Sequence, residues 1–186
     1  MSQKNDRRFV RSQEAIIEAG IAALLRNPSA GMSEIADAAG IGRATLYRHF
    51  ESREALVRKL ALVCLEETET ALEPNENLSG RAAVEKIIDV LMPMADRFRF
   101  LVSLWSLVEG DAEVARIEAR MRGEMLALFR QAMTDGEFET DMPAEWLTAF
   151  FDSTLTAGWM LVDAGAATSG EAADYVKRSF LDGCAN

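Results

Sequence analysis

Cysteine is scarce in this sequence: two residues, Cys64 and Cys184, lie far apart in the chain. Such spacing makes neither a disulfide framework nor a zinc-ligand pattern, so two reduced thiols are expected. Histidine is scarcer still. His49 is the single one, set between Arg48 and Phe50, and neither neighbour is the nucleophile or metal partner that a catalytic imidazole needs. Gly40-Ile41-Gly42 lacks the preceding strand and the third glycine of a dinucleotide fingerprint. No nucleophile–base pair, phosphate loop or metal cluster is recognisable, so no enzyme, cofactor or metal is expected. Long apolar runs are also missing. The most lipid-like stretch, Ser153 to Val162, has ten uncharged residues, against roughly 20 needed to span a bilayer. Met1 to Gln13 is polar and basic with no apolar segment, unlike a secretory signal. A cytoplasmic protein with no membrane partner is expected.

What the chain does contain is the material for a packed core: 49% of its 186 residues are hydrophobic and 27% charged, the composition of a globular protein. A formal charge of -10 at first argues against a polyanionic partner, yet the charge is divided unevenly. Residues 1–63 carry ten Lys and Arg against seven Asp and Glu, a net of +3. Residues 64–186 carry ten against twenty-three, a net of -13. This asymmetry suggests a basic working end on an acidic body.

Strand-like alternation persists nowhere, while helical periodicity persists nearly throughout. Helices are expected over about 12–25, 33–39, 43–50, 52–72, 79–92, 95–108, 112–133, 144–164 and 169–183. Asn27-Pro28-Ser29-Ala30-Gly31 and Glu73-Pro74-Asn75-Glu76-Asn77 break the pattern. Asp163-Ala164-Gly165 reads as a helix end, and Pro143 suits the start of a helix. Ahead of the first helix, Lys4, Arg7, Arg8 and Arg11 form a basic arm, suited to phosphates or a minor groove if it is not simply a frayed tail. There is no internal repeat and no low-complexity tract. The fold class is all-α.

Residues 33–50 carry the most specific signal. Ala36, Gly40 and Leu46 fall at the spacing of a helix-turn-helix, with Ile35, Ile41 and Phe50 as further apolar anchors. Two short helices that cross steeply need a small residue at their contact, here Ala36. The turn needs a residue that tolerates positive φ, here Gly40. On the second helix Leu46 and Phe50 point inward, Ala44, Thr45, Arg48 and His49 point away, and Arg43 and Tyr47 lie on a flank. Small residues for close approach beside arginine for guanine edges suit a helix entering the major groove.

From Ser12 to Leu60 the chain resembles the DNA-binding domain of the TetR (tetracycline-repressor) family of bacterial regulators. The resemblance rests on Glu34-Ile35-Ala36, Ala39-Gly40-Ile41, Thr45-Leu46-Tyr47, His49-Phe50 and Ser52-Arg53-Glu54-Ala55-Leu56. It implies base-reading or groove-lining positions at Arg43, Ala44, Thr45 and Tyr47, and phosphate contacts at Tyr47 and His49. It also implies that Arg53, where the family usually has lysine, caps the next helix and touches the DNA backbone. Ser33 matches a position that can reach DNA; Arg48 joins the set on its chemistry. Gly42 and Gly31 replace the usual hydroxyl caps of the two helices, a change worth roughly a few tenths of a kcal/mol.

Two domains are therefore expected, an N-terminal three-helix helix-turn-helix domain over 1–55 and a helical effector-binding and dimerisation domain over 56–186. The 144–164 helix is apolar on two sides. One stripe holds Leu147, Phe151, Leu155, Gly158 and Val162; the other holds Trp146, Ala149, Ser153 and Met160. Such a helix needs cover on both sides. The resemblance implies that the final helices pair with their copies. The first stripe, with Val176 and Phe180 of the final helix, is therefore the expected homodimer interface, with a central core helix of a monomer as the alternative; Ala172 and Gly183 share that helical spacing. Phe98, Phe100, Trp105, Met121, Met125, Phe129 and Trp159 are candidates to line a pocket for a small-molecule effector. The expected function is a ligand-responsive repressor that binds a palindromic site on double-stranded DNA as a dimer. The competing reading is a helical small-molecule-binding protein that has lost specific DNA binding.

Overall fold

The computed structural model describes residues 2–72, 78–138 and 141–184, with side chains described from residue 13 to residue 183 within those segments. The Glu73–Asn77 breaker lies outside the described residues. All the described regular structure is helical: α1 (Ser2–Arg26), α2 (Met32–Ala38), α3 (Arg43–His49), α4 (Arg53–Leu72), α5 (Gly80–Leu91), a 3-10 turn (Met92–Met94), α6 (Ala95–Val108), α7 (Ala112–Thr134), α8 (Ala144–Asp163) and α9 (Ser169–Cys184). The expected all-α class holds, and the expected helices agree within about two residues at most ends. The exception is α1, which begins at Ser2 and not near Ser12. No glycine or proline occurs before Gly20, so nothing interrupts the backbone hydrogen bonds. The basic arm of Lys4, Arg7, Arg8 and Arg11 is thus helical in backbone; its side chains lie outside the described residues.

Helix ends follow local chemistry. Three helices, α2, α7 and α8, stop where a glycine takes positive φ: Gly40 at 66°, Gly136 at 75° and Gly165 at 66°. At each, the glycine N–H and the next N–H reach back to the last turn, as in Gly40 to Asp37 and Ile41 to Ala36, closing a Schellman motif. α9 begins with a capping box, the Thr168 hydroxyl accepting from Glu171 N–H at 3.2 Å and the Glu171 carboxylate accepting from Thr168 N–H at 2.8 Å.

The chain forms two compact units, one of residues 1–65 with 96–115, the other of residues 66–95 with 116–186. A simple division at residue 55 does not describe them, because α6 belongs with the helix-turn-helix segment. Ion pairs inside the first unit favour that grouping. Arg58 of α4 donates to Asp111 at 2.6 Å and Glu113 at 2.7 Å, and Arg97 of α6 pairs with Glu18 of α1. Asp111 also caps α7, accepting from the N–H groups of Glu113 and Val114 at 3.1 Å. The Arg58 guanidinium, followed by the Val114 N–H, holds the Asp111 carboxyl below the usual range. A depressed carboxyl contributes stability above its unfolded pKa and loses it as pH falls through the folded value. Unfolding followed against pH should therefore show Asp111→Asn losing part of the wild-type fall in stability under acid; an unaltered acid limb would remove Asp111 from that role.

The second unit is built on packing of α8 against α9 and the 3-10 turn. Gly158 permits it: a Cβ there would lie 2.9 Å from Val176 Cγ2 and 3.0 Å from Met92 Sδ. Phe129, Phe138, Phe150, Phe151 and Phe180 form one aromatic cluster. Trp159 is also buried, and an indole N–H taken out of water needs an acceptor. It finds one in Leu91 O at 3.2 Å, where α5 gives way to the 3-10 turn.

Candidate nucleic-acid interface

The helix-turn-helix assembles around small and apolar residues on α1, α2, α3 and α4. Ile35, Ala36, Leu46, Leu56 and Leu60 are fully buried, and Phe50 nearly so. Gly20, which the sequence pattern did not single out, lets α1 approach α4, since a Cβ there would meet Leu60 Cδ1 at 3.1 Å. Gly40 turns the chain between α2 and α3 in the positive-φ conformation its position predicted. Ile41 is half-buried beside the turn.

With Leu46 anchored inward, α3 turns Arg43, Ala44, Tyr47 and Arg48 to the surface, while Thr45 and His49 are half-buried. Phe50 is the residue that ends α3, in extended backbone. The outward face is therefore centred on 43, 44, 47 and 48, slightly rotated from the helical-wheel expectation. Its side chains are ordered by one another. The Arg43 guanidinium carbon sits 5.4 Å from the centroid of the Tyr47 ring, within cation–π range. Arg48 donates to the Thr45 hydroxyl at 3.1 Å. The imidazole of His49 lies 6.3 Å from the Phe50 ring, tilted by 34°. Arginine held on an aromatic face keeps donors pointing outward at a reduced entropy cost on binding, which suits bidentate contact with a guanine edge.

Gly31 and Gly42 are the N-caps of α2 and α3 and make no side-chain capping bond, as their identity implies. Ser33 is exposed in the first turn of α2. Arg53 departs from expectation. Ser52, not Arg53, caps α4, accepting from Ala55 N–H at 3.1 Å. The Glu54 backbone N–H, then the Ser52 hydroxyl, keeps the Glu54 carboxyl below the usual range. The Arg53 guanidinium reaches back to the loop before α2, donating to Ala30 O at 2.9 Å and Pro28 O at 2.5 Å.

The remaining candidate residues are redistributed by the fold. Leu147, Phe151, Leu155, Gly158, Val176 and Phe180 are all buried within a single chain, and Val162 is half-buried. They are the contact of α8 with α9 and the adjoining core, so they are not a surface for a second subunit. The expectation failed because an apolar stripe specifies burial without specifying the partner, and α9 of the same chain supplies it. What α8 leaves exposed is the other stripe: Trp146 at 56% and Met160 at 68%, with Ala149, Ser153 and Ala157 between them. Of the seven effector-pocket candidates, Phe98, Phe100 and Trp105 lie on α6 in the first unit, and Met121, Met125, Phe129 and Trp159 lie in the second. Phe129 belongs to the aromatic cluster and Trp159 is tied to Leu91, which gives both a structural place in the core. Phe100 is likewise buried. Phe98, Trp105, Met121 and Met125 are half-buried.

Comparison with known proteins agrees with this geometry. Residues 16–60 match the family described as bacterial regulatory proteins, tetR family. The HTH-type transcriptional repressor LfrR of Mycolicibacterium smegmatis is 26% identical over 151 residues, which cover 80% of this chain and 78% of LfrR. The HTH-type transcriptional regulator NfxB of Pseudomonas aeruginosa is 27% identical over 189 residues, covering 96% of this chain and 97% of NfxB. In fold, the chain is similar to crystalline LfrR from Mycobacterium smegmatis in complex with proflavine, with a TM-score of 0.76 at 23% identity over 96% of this chain and 99% of that one. It is similar also to the ketosteroid transcriptional regulator KstR2 of Mycobacterium tuberculosis, with a TM-score of 0.77 at 17% identity over 95% of each chain. A helix-turn-helix with a basic, groove-sized outward face, in a chain whose described structure is helical, defines a DNA-binding regulator of transcription. Residues 16–60 carry the DNA-binding segment of the tetR family, and along most of its length the chain is similar to HTH-type transcriptional regulators.

Proposed function

We propose that this protein acts as a homodimeric repressor, reading a two-fold symmetric operator with paired α3 helices and leaving it when a small-molecule effector binds. The observation that carries the reading is the outward face of α3, where Arg43, Ala44, Tyr47 and Arg48 are exposed over a buried Leu46. Arg43 stacked on Tyr47 is the principal base reader, Ala44 gives the close approach, and Arg48, Thr45, His49 and Ser33 supply further groove and phosphate contacts. Two such helices held one or more DNA turns apart read a palindrome, and linked binding raises affinity without new contacts.

The dimer forms through the exposed stripe of α8. Trp146 and Met160 flank a run of small residues, so two copies of the helix can cross closely about a two-fold axis. Release requires an effector that binds one arrangement of the DNA-binding segments more tightly than the other. Within the second unit, the half-buried Met121 and Met125 of α7 are the residues that contact it. A cationic aromatic is the class to try first, because the body is acidic and the similar LfrR is known in complex with proflavine.

Selection of a random duplex library on the purified protein tests the reading. Enrichment of a two-fold symmetric motif is expected, and no enrichment by folded, ligand-free protein would replace this reading with that of a ligand-binding protein that no longer reads DNA. On the selected duplex, Arg43→Ala should cost about 1–3 kcal/mol of specific binding and relax base preference at one position per half-site. An unchanged preference would take base reading away from Arg43.

A further inference from the structure

Arg53 begins α4 immediately after the helix-turn-helix, where a cation is easily read as a clamp on the DNA backbone. Its hydrogen bonds give it another occupation. Nε donates to Ala30 O at 2.9 Å and a terminal nitrogen donates to Pro28 O at 2.5 Å. Both acceptors lie in the loop that joins α1 to α2, more than twenty residues earlier in the chain. The guanidinium is planar with donors in a fixed fork, so two carbonyls of one loop fix its orientation and, in return, the loop's.

The loop needs this support. Asn27 starts it, accepting from Ser29 N–H at 3.1 Å and donating to Glu34 at 3.2 Å, and Ala30 is wholly buried at its far end. The next residue is Gly31, the N-cap of α2, which makes no side-chain bond to the open N–H groups of the helix. α2 is only seven residues long, too short to hold its own direction without tertiary contacts. It therefore enters the fold from a loop fixed on one side by Asn27 and on the other by Arg53, and its first turn carries the exposed Ser33.

We propose that Arg53 is a positioning residue for DNA binding: it sets the loop before α2, and so the placement of α2 and of the turn into α3, without itself neutralising a phosphate. The inference rests on the DNA-binding reading above and concerns how that surface is held. The two possible roles differ in what they require. A phosphate contact requires charge, which lysine supplies, and releases about one counterion per contact. A two-carbonyl strut requires the fork, which lysine lacks, and leaves the counterion count alone.

The test uses the full chain and the duplex that wild-type protein enriches from a random library, so that a failure to enrich condemns the DNA-binding reading before this inference is reached. Operator affinity is then measured against salt for wild type, Arg53→Gln and Arg53→Lys, with amide hydrogen exchange on each free protein. Both variants should lose on the order of tenfold in affinity and keep the wild-type slope of log affinity against log salt. Exchange should rise over residues 28–35 and remain at wild-type rates in α4. Full affinity in Arg53→Lys, or a slope smaller by about 1 in Arg53→Gln, would overturn the proposal. So would unchanged exchange at 28–35, or a rise spread evenly over the whole domain. Full affinity in Arg53→Gln would overturn it too.

Discussion

Truncation of Phe180 to alanine is expected to cost about 3–5 kcal/mol of unfolding free energy. Phe180 is wholly buried in α9, and its ring has neighbours on every side. Ring centroids of Phe151, Phe129, Phe150 and Phe138 lie 5.2, 5.5, 5.6 and 6.2 Å away. These rings come from α7, α8 and the segment after α7, so removing the Phe180 ring opens a hole that no single side chain can fill. Packed aromatic neighbours relax only in part, and tilted and edge-on ring contacts add to the area lost. Urea unfolding at fixed protein concentration, because any self-association adds to apparent stability, measures the change. A loss under about 1 kcal/mol, well below the usual cost of such a truncation, would mean that the cluster collapses around the cavity and does not organise the unit. The same burial predicts that Phe180→Asp unfolds the chain, so its effect on assembly says nothing about the dimer surface.

Replacement of Met160 by arginine together with Trp146 by alanine should have the opposite character: a folded monomer. Both side chains are more than half exposed on α8, so their loss leaves the core intact, while a buried unpaired guanidinium at a two-fold contact is repeated in both copies and heavily disfavours association. Light scattering should report the monomer mass with an unchanged far-ultraviolet helical signal. Operator affinity should fall by a factor on the order of 10²–10⁴, the contribution of linked half-site binding, while affinity for a single half-site stays the same. A double variant that remains dimeric would move the interface elsewhere on the chain, with the exposed Tyr175 face of α9 the next surface to examine.

Sequence and structure divide the description of this protein along a physical line. The helices and their ends are set by neighbours in sequence. Gly40, Gly136 and Gly165 stop helices because positive φ suits glycine above all, Thr168 and Glu171 start one through a reciprocal cap, and both kinds of signal act within about six residues. The helix-turn-helix was legible for the same reason: Ala36, Gly40 and Leu46 all act within a span of eleven residues, and with Leu46 inward the outward side of α3 follows from helical periodicity. Only the degree of exposure of Thr45 and His49 had to come from the structure.

Tertiary structure decided which partner each surface meets. Leu147, Phe151, Leu155 and Phe180 were recognisable as residues to be buried, but hydrophobic burial is non-directional, and periodicity cannot tell a helix of the same chain from one of another. The structure gives that face to the chain's own core and leaves Trp146 and Met160 outside. Arg53 shows the same limit for a charged group. Its position beside the recognition helix was plain in the sequence, yet its hydrogen bonds run to Pro28 and Ala30, acceptors brought near by the packing of α1 against α2 and α4. The sequence by itself determined the local geometry of α3 and its outward face; only the tertiary structure decided which carbonyls Arg53 meets and which face of α8 stays exposed.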